Sequence, residues 1–359
     1  MSLPASSGAL ARIRKDVQSM HAYAIQDSVG MVKLDAMENP HRLPAALQAH
    51  LGQRLGALAL NRYPDGRISD LRKALAEHAH MPEGFDIMLG NGSDELISLL
   101  AMACDVDGGA ILAPLPGFVM YGMSAQLQGL KFIGVPLTPD FELDETAMLA
   151  AIAEHQPSII YIAYPNNPTA NLWDDAVIEK IIQAAPGLVV MDEAYQPFSS
   201  KSYVDRIARH SHVLLMRTMS KFGLAGVRIG YMMGPKALIA EVDKVRPPYN
   251  ISVLNYECAL FALEHADVFA EQALALRAQR AIVFAALQAL PGTKVWKSDA
   301  NMILLRVPDA AKTFEGMRAR GVLVKNVSKM HPLLVNCLRL TVGTADENAQ
   351  MLAALKESL

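Results

Sequence analysis

Three stretches decide the fold: SIIYIAYPNNPTA at residues 158–170, LVVMDEAY at 188–195 and VLLMRTMSKFGLAGVRIGY at 213–231. Each opens with a short run of Val, Ile, Leu or Met and then breaks into small, polar or turn-forming residues. Runs of this length that are apolar on both faces predict buried strands of a parallel sheet. Helical patterns stand around them: LRKALAEHAH after Ser69, LISLLAMAC after GNGSDE, and then DETAMLAAIAEH and DDAVIEKIIQAA. FDIML, GAILA and VRIGYMMG supply further apolar segments. Strands alternating with helices predict an α/β fold, a three-layer αβα arrangement with a mainly parallel sheet, over residues 34–248.

The texture changes after VRPPYNIS. One long helical region is expected from about Tyr256 to Leu290, followed by NMILLRV, a helix from Ala310 to Arg320, VLVKN, CLRLTVG and a last helix. Thr344 and Glu347 have the spacing of a capping box for that helix. Residues 249–359 therefore read as a smaller α/β domain. Residues 1–33 are too short for a domain and are expected to be an arm, packed on the smaller unit or on a neighbouring subunit. Two domains and an arm agree with 359 residues, which at ~150 residues per domain make about 2.4 domains.

Composition narrows the function. With 52% hydrophobic and 19% charged residues, the chain is neither disordered nor a disulfide-stapled miniprotein. Thirty-three Lys and Arg against 36 Asp and Glu give no bulk attraction to nucleic acid or to an anionic membrane, so small-molecule partners are expected. Cys104, Cys258 and Cys337 are far apart and form no CxxC, which argues against a disulfide framework and a thiolate zinc site. The opening MSLPASSGALARIRKD has no apolar signal-peptide core, and charges, Pro or Gly interrupt every apolar stretch, so a cytoplasmic protein is expected. No metal site is expected either: HExxH is absent, and His78 with His80, like His210 with His212, stand two apart and so point away from each other on a helix. No G-x-S-x-G elbow marks a serine hydrolase.

The chemistry concentrates at strand ends. In an open parallel sheet, ligands bind beyond the carboxyl ends of the strands, and Asn167, Asp192 and Lys221 all follow such ends. Each has an ordinary explanation as a turn, cap or surface residue. Their coincidence at three strand ends is harder to explain that way. A lysine among small residues is open to desolvation, which lowers its pKa and frees its amine as a nucleophile. GNGSDE, at a helix start, offers unpaired N–H groups and a helix dipole to an anion.

In this order, PNNPTA, DEAY and RTMSKFGLAGVR resemble the fold type I family of pyridoxal phosphate enzymes, and within it the aminotransferases. The resemblance implies that Lys221 binds pyridoxal 5'-phosphate covalently, that Asp192 faces the pyridine nitrogen, and that Tyr195 and Asn167 hold the ring's phenolic oxygen. It assigns the phosphate to Gly92, Ser93, Asp94, Thr218, Ser220 and Arg228, and places Phe118 of PGF over the ring. Along LDAMENP (34–40), NRYPDG (61–66), VRPPYNIS, SDANMILLRV and CLRLTVG the chain is most similar to the histidinol-phosphate aminotransferase family. That implies transfer of the amino group of L-histidinol phosphate to 2-oxoglutarate, in histidine biosynthesis, by a homodimer in which Tyr63 reaches the partner's cofactor phosphate. Arg339 and Lys325 are then substrate-binding candidates, because a guanidinium or ammonium can hold a phosphate or carboxylate; Tyr23, by its position in the arm, and Asn167 are further candidates. Three departures stand out: Lys325 where relatives often have Arg, Ala170 where the motif usually has Gly, and seven rather than eight residues from Lys221 to Arg228. Aromatic amino acid aminotransferases and phosphoamino acid decarboxylases share the cofactor site and remain open as alternatives. A non-catalytic sensor with the same fold is disfavoured, since 33 residues leave no room for a DNA-binding domain.

Overall fold

The computed structural model describes residues 7–20, 26–64 and 68–359. Residues 1–30 make a unit of their own, with short helices α1 (Ser7–Leu10) and α2 (Lys15–Ser19). Within it Gln18 Nε2 donates to the Leu10 carbonyl at 2.9 Å. Tyr23 lies outside the described residues.

In the second unit, β1 (Val32–Lys33), α3 (Ala45–Gly56) and α4 (Ile68–His78) precede β2 (Phe85–Asn91), α5 (Ser93–Ala103) and β3 (Ala110–Leu115). The chain continues through α6 (Val119–Gln128), β4 (Lys131–Pro136), α7 (Glu145–His155), β5 (Ile159–Ala163), α8 (Asp175–Ala184) and β6 (Leu188–Asp192). Then come α9 (Val204–Ile207), β7 (Val213–Thr218), β8 (Ile229–Pro235) and α10 (Lys236–Val242). The last part holds α11 (Val253–Glu264), α12 (Ala266–Gln288), β9 (Lys294–Val295), β10 (Met302–Arg306), α13 (Ala310–Ala319), β11 (Val322–Leu323), β12 (Lys325–Asn326), β13 (Cys337–Thr341) and α14 (Ala345–Lys356).

Seven strands form the main sheet in the order β2-β8-β7-β6-β5-β3-β4, and β8 alone runs antiparallel to its neighbours. Every residue of β5 and β7 is buried, as the apolar runs require of central strands covered on both faces. At the edge, β4 alternates, with Ile133 and Val135 buried between exposed Lys131, Gly134 and Pro136; its weaker pattern kept it out of the expected strands. Helix faces follow the 3.6 period: Ile178, Ile181 and Ile182 of α8 are buried, and the Asp174 side chain caps the helix at Ala176 and Val177 N–H. Full burial of each such side chain contributes about 1.5–3 kcal/mol.

The smaller sheet is antiparallel, β12-β13-β10-β9. Thr344 and Glu347 form the expected reciprocal capping box on α14. The single long helix expected from Tyr256 to Leu290 is instead two, because His265 leaves helical geometry (φ −120°, ψ 36°) and its ring packs on Phe261 at 4.6 Å. VLVKN likewise divides: β11 pairs with β1 and β12 with β13. The expected boundaries shift too. Leu34 packs into the smaller core, while Tyr256, Ala259 and Leu260 of α11 belong to the larger one. Helix α12 links the two, with Phe269 in the larger core and Leu276, Val283 and Leu287 in the smaller. His210 and His212 lie in non-helical chain before β7, so their rings meet edge to face at 6.1 Å instead of pointing apart. Among the described residues no helix is long and apolar enough to cross a membrane, and no group of three or more His, Cys, Asp or Glu could hold a metal ion.

One close approach shapes the site. Gly230 of β8 pairs with Gly90 of β2, and a Cβ on Gly230 would lie 2.4 Å from the Gly92 carbonyl carbon and 2.5 Å from Ser93 N. Only glycine lets the strand lie against the turn that opens α5. Gly230→Ala is therefore expected to cost about 3 kcal/mol or more in urea unfolding, since backbone cannot yield as a side chain would. Gly226→Ala meets nothing within 4 Å and should change stability by less than about 1 kcal/mol.

Candidate active site

The carboxyl ends of β5, β6 and β7 open on one cavity of about 330 Å³. In register, Ala163 faces Asp192 and Asp192 faces Met216, so the turns after these strands start side by side. Ser93, Asp94, Phe118, Asn167, Asp192, Tyr195, Thr218, Ser220, Lys221 and Arg228 all line this cavity. The sequence had singled out all ten.

Lys221 sits on an irregular helical turn after β7, and its Nζ donates to the Ala36 carbonyl at 2.9 Å. Desolvation first, and the charge of Arg339 second, pull its pKa down from 10.5 to about 8. Gly223 in the same turn has φ +143°, where an added Cβ would strike the Phe269 ring at 2.7 Å. The turn is thus packed against α12, which holds the lysine in place.

At the floor, Asp192 is buried. One carboxylate oxygen accepts from Ala194 N–H at 3.1 Å and the other from the Tyr121 hydroxyl at 2.6 Å. Burial raises its pKa to about 6. A cation placed in the cavity would favour its ionised form. Burial also pushes the Tyr195 phenol upward, so Tyr195 remains a hydrogen-bond donor at neutral pH. Its ring centre is 5.9 Å from Lys221 Nζ.

Arg339 donates to Asn167 Oδ1 at 2.8 Å and to the Asp35 carbonyl at 2.6 Å. With its oxygen occupied, the Asn167 amide has its NH₂ free to donate. Arg339 is buried beside Asn167 and is not among the residues that line this cavity. Lys325 pairs with it in register across β12 and β13.

Hydroxyl groups and the Arg228 guanidinium cluster on the cavity wall as well. Thr218 Oγ1 donates to Ser220 Oγ at 3.0 Å, Arg228 Nη1 lies 3.4 Å from the same Ser220 oxygen, and Arg228 Nη2 is 3.5 Å from Asp94. Gly92, at φ +78°, leaves room for the Arg228 guanidinium, which a Cβ there would meet at 2.6 Å. Arg228 also occupies the left-handed region (φ +57°), an unusual conformation for a side-chain-bearing residue at a site. Ala170 does so as well (φ +64°), which accounts for the glycine common at that position of the motif.

Tyr63 is set apart. It is 76% exposed, and its ring stacks on Tyr249 at 4.5 Å. Three features of the cavity escaped sequence reading: Tyr121, the carboxylate of Glu38 and the Ala36 carbonyl. Ala36 and Glu38 stand in LDAMENP, a stretch that the resemblance had marked, and Tyr121 follows PGF in an ordinary helical stretch.

A buried carboxylate, a lysine of lowered pKa and a hydroxyl, guanidinium and helix-start cradle suit a phosphorylated aldehyde with a basic ring nitrogen. The volume is adequate for one. The sequence matches the family model for aminotransferase class I and II over residues 29–355. The histidinol-phosphate aminotransferase of Polaromonas naphthalenivorans is 82% identical over 97% of this chain and 96% of that protein. The chain belongs to the histidinol-phosphate aminotransferase family of class I and II aminotransferases. The member of that family from Methylibium petroleiphilum is 71% identical over 96% of this chain and 94% of its own length. Among solved structures, the histidinol-phosphate aminotransferase from Sinorhizobium meliloti in complex with pyridoxal-5'-phosphate superposes with a TM-score of 0.84 at 23% identity, covering 98% of this chain and 99% of that one. At that identity the likeness speaks for the fold.

The lysine's environment has a direct test. At pH 7 a group of pKa about 8 is about 9% neutral, against roughly 0.04% for one near 10.4. Reductive methylation of the cofactor-free protein with formaldehyde, followed peptide by peptide, should show Lys221 reacting with an apparent pKa near 8. Its reactivity should rise with pH and level off above that value. A profile matching the surface lysines would contradict the assigned desolvation.

Proposed function

We propose that this aminotransferase moves the amino group of L-histidinol phosphate to 2-oxoglutarate, giving imidazole-acetol phosphate and L-glutamate, in the cytoplasm. The observation that carries the reading is the convergence of Lys221, Asp192 and the Ser220–Arg228 cradle on one cavity, in a chain 82% identical to a histidinol-phosphate aminotransferase. Pyridoxal 5'-phosphate, when bound, supplies an aldehyde that captures amines and a ring that withdraws electrons from the neighbouring carbon.

The residues divide this work. Ser93, Thr218, Ser220 and Arg228 would hold the phosphate with the N–H groups that open α5. Asp192 would keep the ring nitrogen protonated, and Tyr195 and the Asn167 NH₂ would donate to the phenolic oxygen. Lys221, with a pKa near 8, is basic enough to accept a proton from the substrate carbon at Nζ and acidic enough to return it. Arg339 would act first by fixing Asn167, and with Lys325 would draw the substrate's anionic end toward this side of the site.

A homodimer follows from the same reading. Exposed Tyr63, braced by Tyr249, is the residue expected to complete the partner's phosphate site. Mixing inactive Lys221→Ala with weakened Tyr63→Ala protein should restore activity, up to about a quarter of wild type, because half the dimers then carry one intact site. Failure of mixtures to recover would argue that each chain's site is self-sufficient.

Lys221→Ala should lower kcat by at least about 10³-fold, and Asp192→Asn by about 10²–10³-fold with the fold intact. For specificity, kcat/KM should favour histidinol phosphate over phenylalanine and O-phosphothreonine by at least about tenfold, an interval of about 1.4 kcal/mol. Phenylalanine preferred by that margin would replace the substrate, and carbon dioxide released from O-phosphothreonine would replace the reaction.

A further inference from the structure

The hydroxyl of Tyr121, on the first turn of α6, reaches across to β6 and donates to Asp192 at 2.6 Å. Tyr121 is 2% exposed, and its ring lies parallel to that of Tyr161 on β5, 4.2 Å away at 6°. Phe118 also meets it edge to face at 5.6 Å. A ring clamped in this way has one place for its hydroxyl. Among the described residues the buried Tyr161 hydroxyl has no hydrogen-bond partner; the ring serves as a flat plate against Tyr121.

A carboxylate taken out of water needs donors. Asp192 has two from the protein, Ala194 N–H on one oxygen and Tyr121 on the other. The remaining lone pairs are left for whatever the cavity holds. The other charges around it do not substitute for Tyr121. Asp94 and Glu193 are carboxylates that disfavour its ionisation, and Lys221 donates to the Ala36 carbonyl.

We propose that Tyr121 is a positioning residue for the aminotransferase reaction, holding the Asp192 carboxylate ionised and turned toward the ring nitrogen of the bound cofactor. This rests on the reading that the cavity binds pyridoxal 5'-phosphate with Asp192 at that nitrogen. Tyr121 works through Asp192 and needs no contact with substrate.

The test is Tyr121→Phe, which keeps the stack and removes the donor. Burial already raises Asp192 to about 6, above a free carboxylate, so the folded state prefers its protonated form. That contribution to stability is complete below about pH 4 and is lost as pH climbs through 6. Without the Tyr121 donor the folded pKa rises further, and the loss deepens and extends to higher pH. In cofactor-free protein, the Tm deficit of Tyr121→Phe relative to wild type should be at least about 3 °C larger at pH 8 than at pH 5. Tyr161→Phe, which removes the unpartnered hydroxyl, should match or exceed wild type at both pH values. In loaded protein at pH 7.5, Tyr121→Phe should weaken pyridoxal 5'-phosphate binding about tenfold and lower kcat by a similar factor, with substrate KM within about twofold.

A Tm deficit that is the same at every pH would reduce Tyr121 to a packing residue and overturn the proposal, as would unchanged cofactor affinity. The cofactor-free measurement keeps the two readings separable. If wild type failed to bind pyridoxal 5'-phosphate while the pH-dependent deficit appeared, the cofactor reading would fall and the hold of Tyr121 on Asp192 would stand.

Discussion

The parallel hydrogen-bond ladder joining β5, β6 and β7 is the constraint on which the site depends. Because neighbouring strands run the same way and stay in register from Ile159, Leu188 and Val213 onward, their chains leave the sheet at one edge. Residues separated by dozens of positions are thereby delivered to one line: Asn167 after β5, Asp192 at the end of β6, Lys221 after β7. The antiparallel β8 adds Arg228 to the same edge, because its start lies where β7 ends. Glycine at 230 then lets the opening of α5 close in from the side.

Charge is arranged with comparable economy. The chain is nearly neutral, yet the cavity gathers Lys221 and Arg228 with Asp94, Asp192 and Glu38, and Arg339 stands just behind it. Desolvation acts on the central pair in opposite directions, lowering the lysine and raising the aspartate, so both come closer to neutral pH. That is the condition under which one amine can take up and release a proton, while one carboxylate remains responsive to a cation facing it. Surrounding hydrogen bonds then set orientation, as Arg339 does for the Asn167 amide.

Much of this was legible in the residues themselves. Apolar runs at 159–163, 188–192 and 213–218 marked buried strands because central strands leave no polar alternation, and the Thr344 and Glu347 cap followed from local side-chain reach. The edge strand β4 and the break at His265 were harder, since one has a weak pattern and the other interrupts an unbroken helical composition. The grouping of Asn167, Asp192 and Lys221 at one cavity was readable because they stand at strand ends in chain order. Tyr121 was not: its hydroxyl matters only through a partner 71 positions away, and its neighbours in sequence describe an ordinary helix.

The sequence by itself determined the layered α/β architecture, the strands that carry the site and the kind of chemistry at their ends, because these depend on local periodicity and on residue type at turns. Only the tertiary structure decided which oxygen of Asp192 receives the Tyr121 hydroxyl, that Arg339 braces Asn167 from behind, and that Leu34 and α11 exchange the cores expected for them. Those outcomes depend on distances between segments remote in the chain. They are set by packing and desolvation, and no local pattern records either.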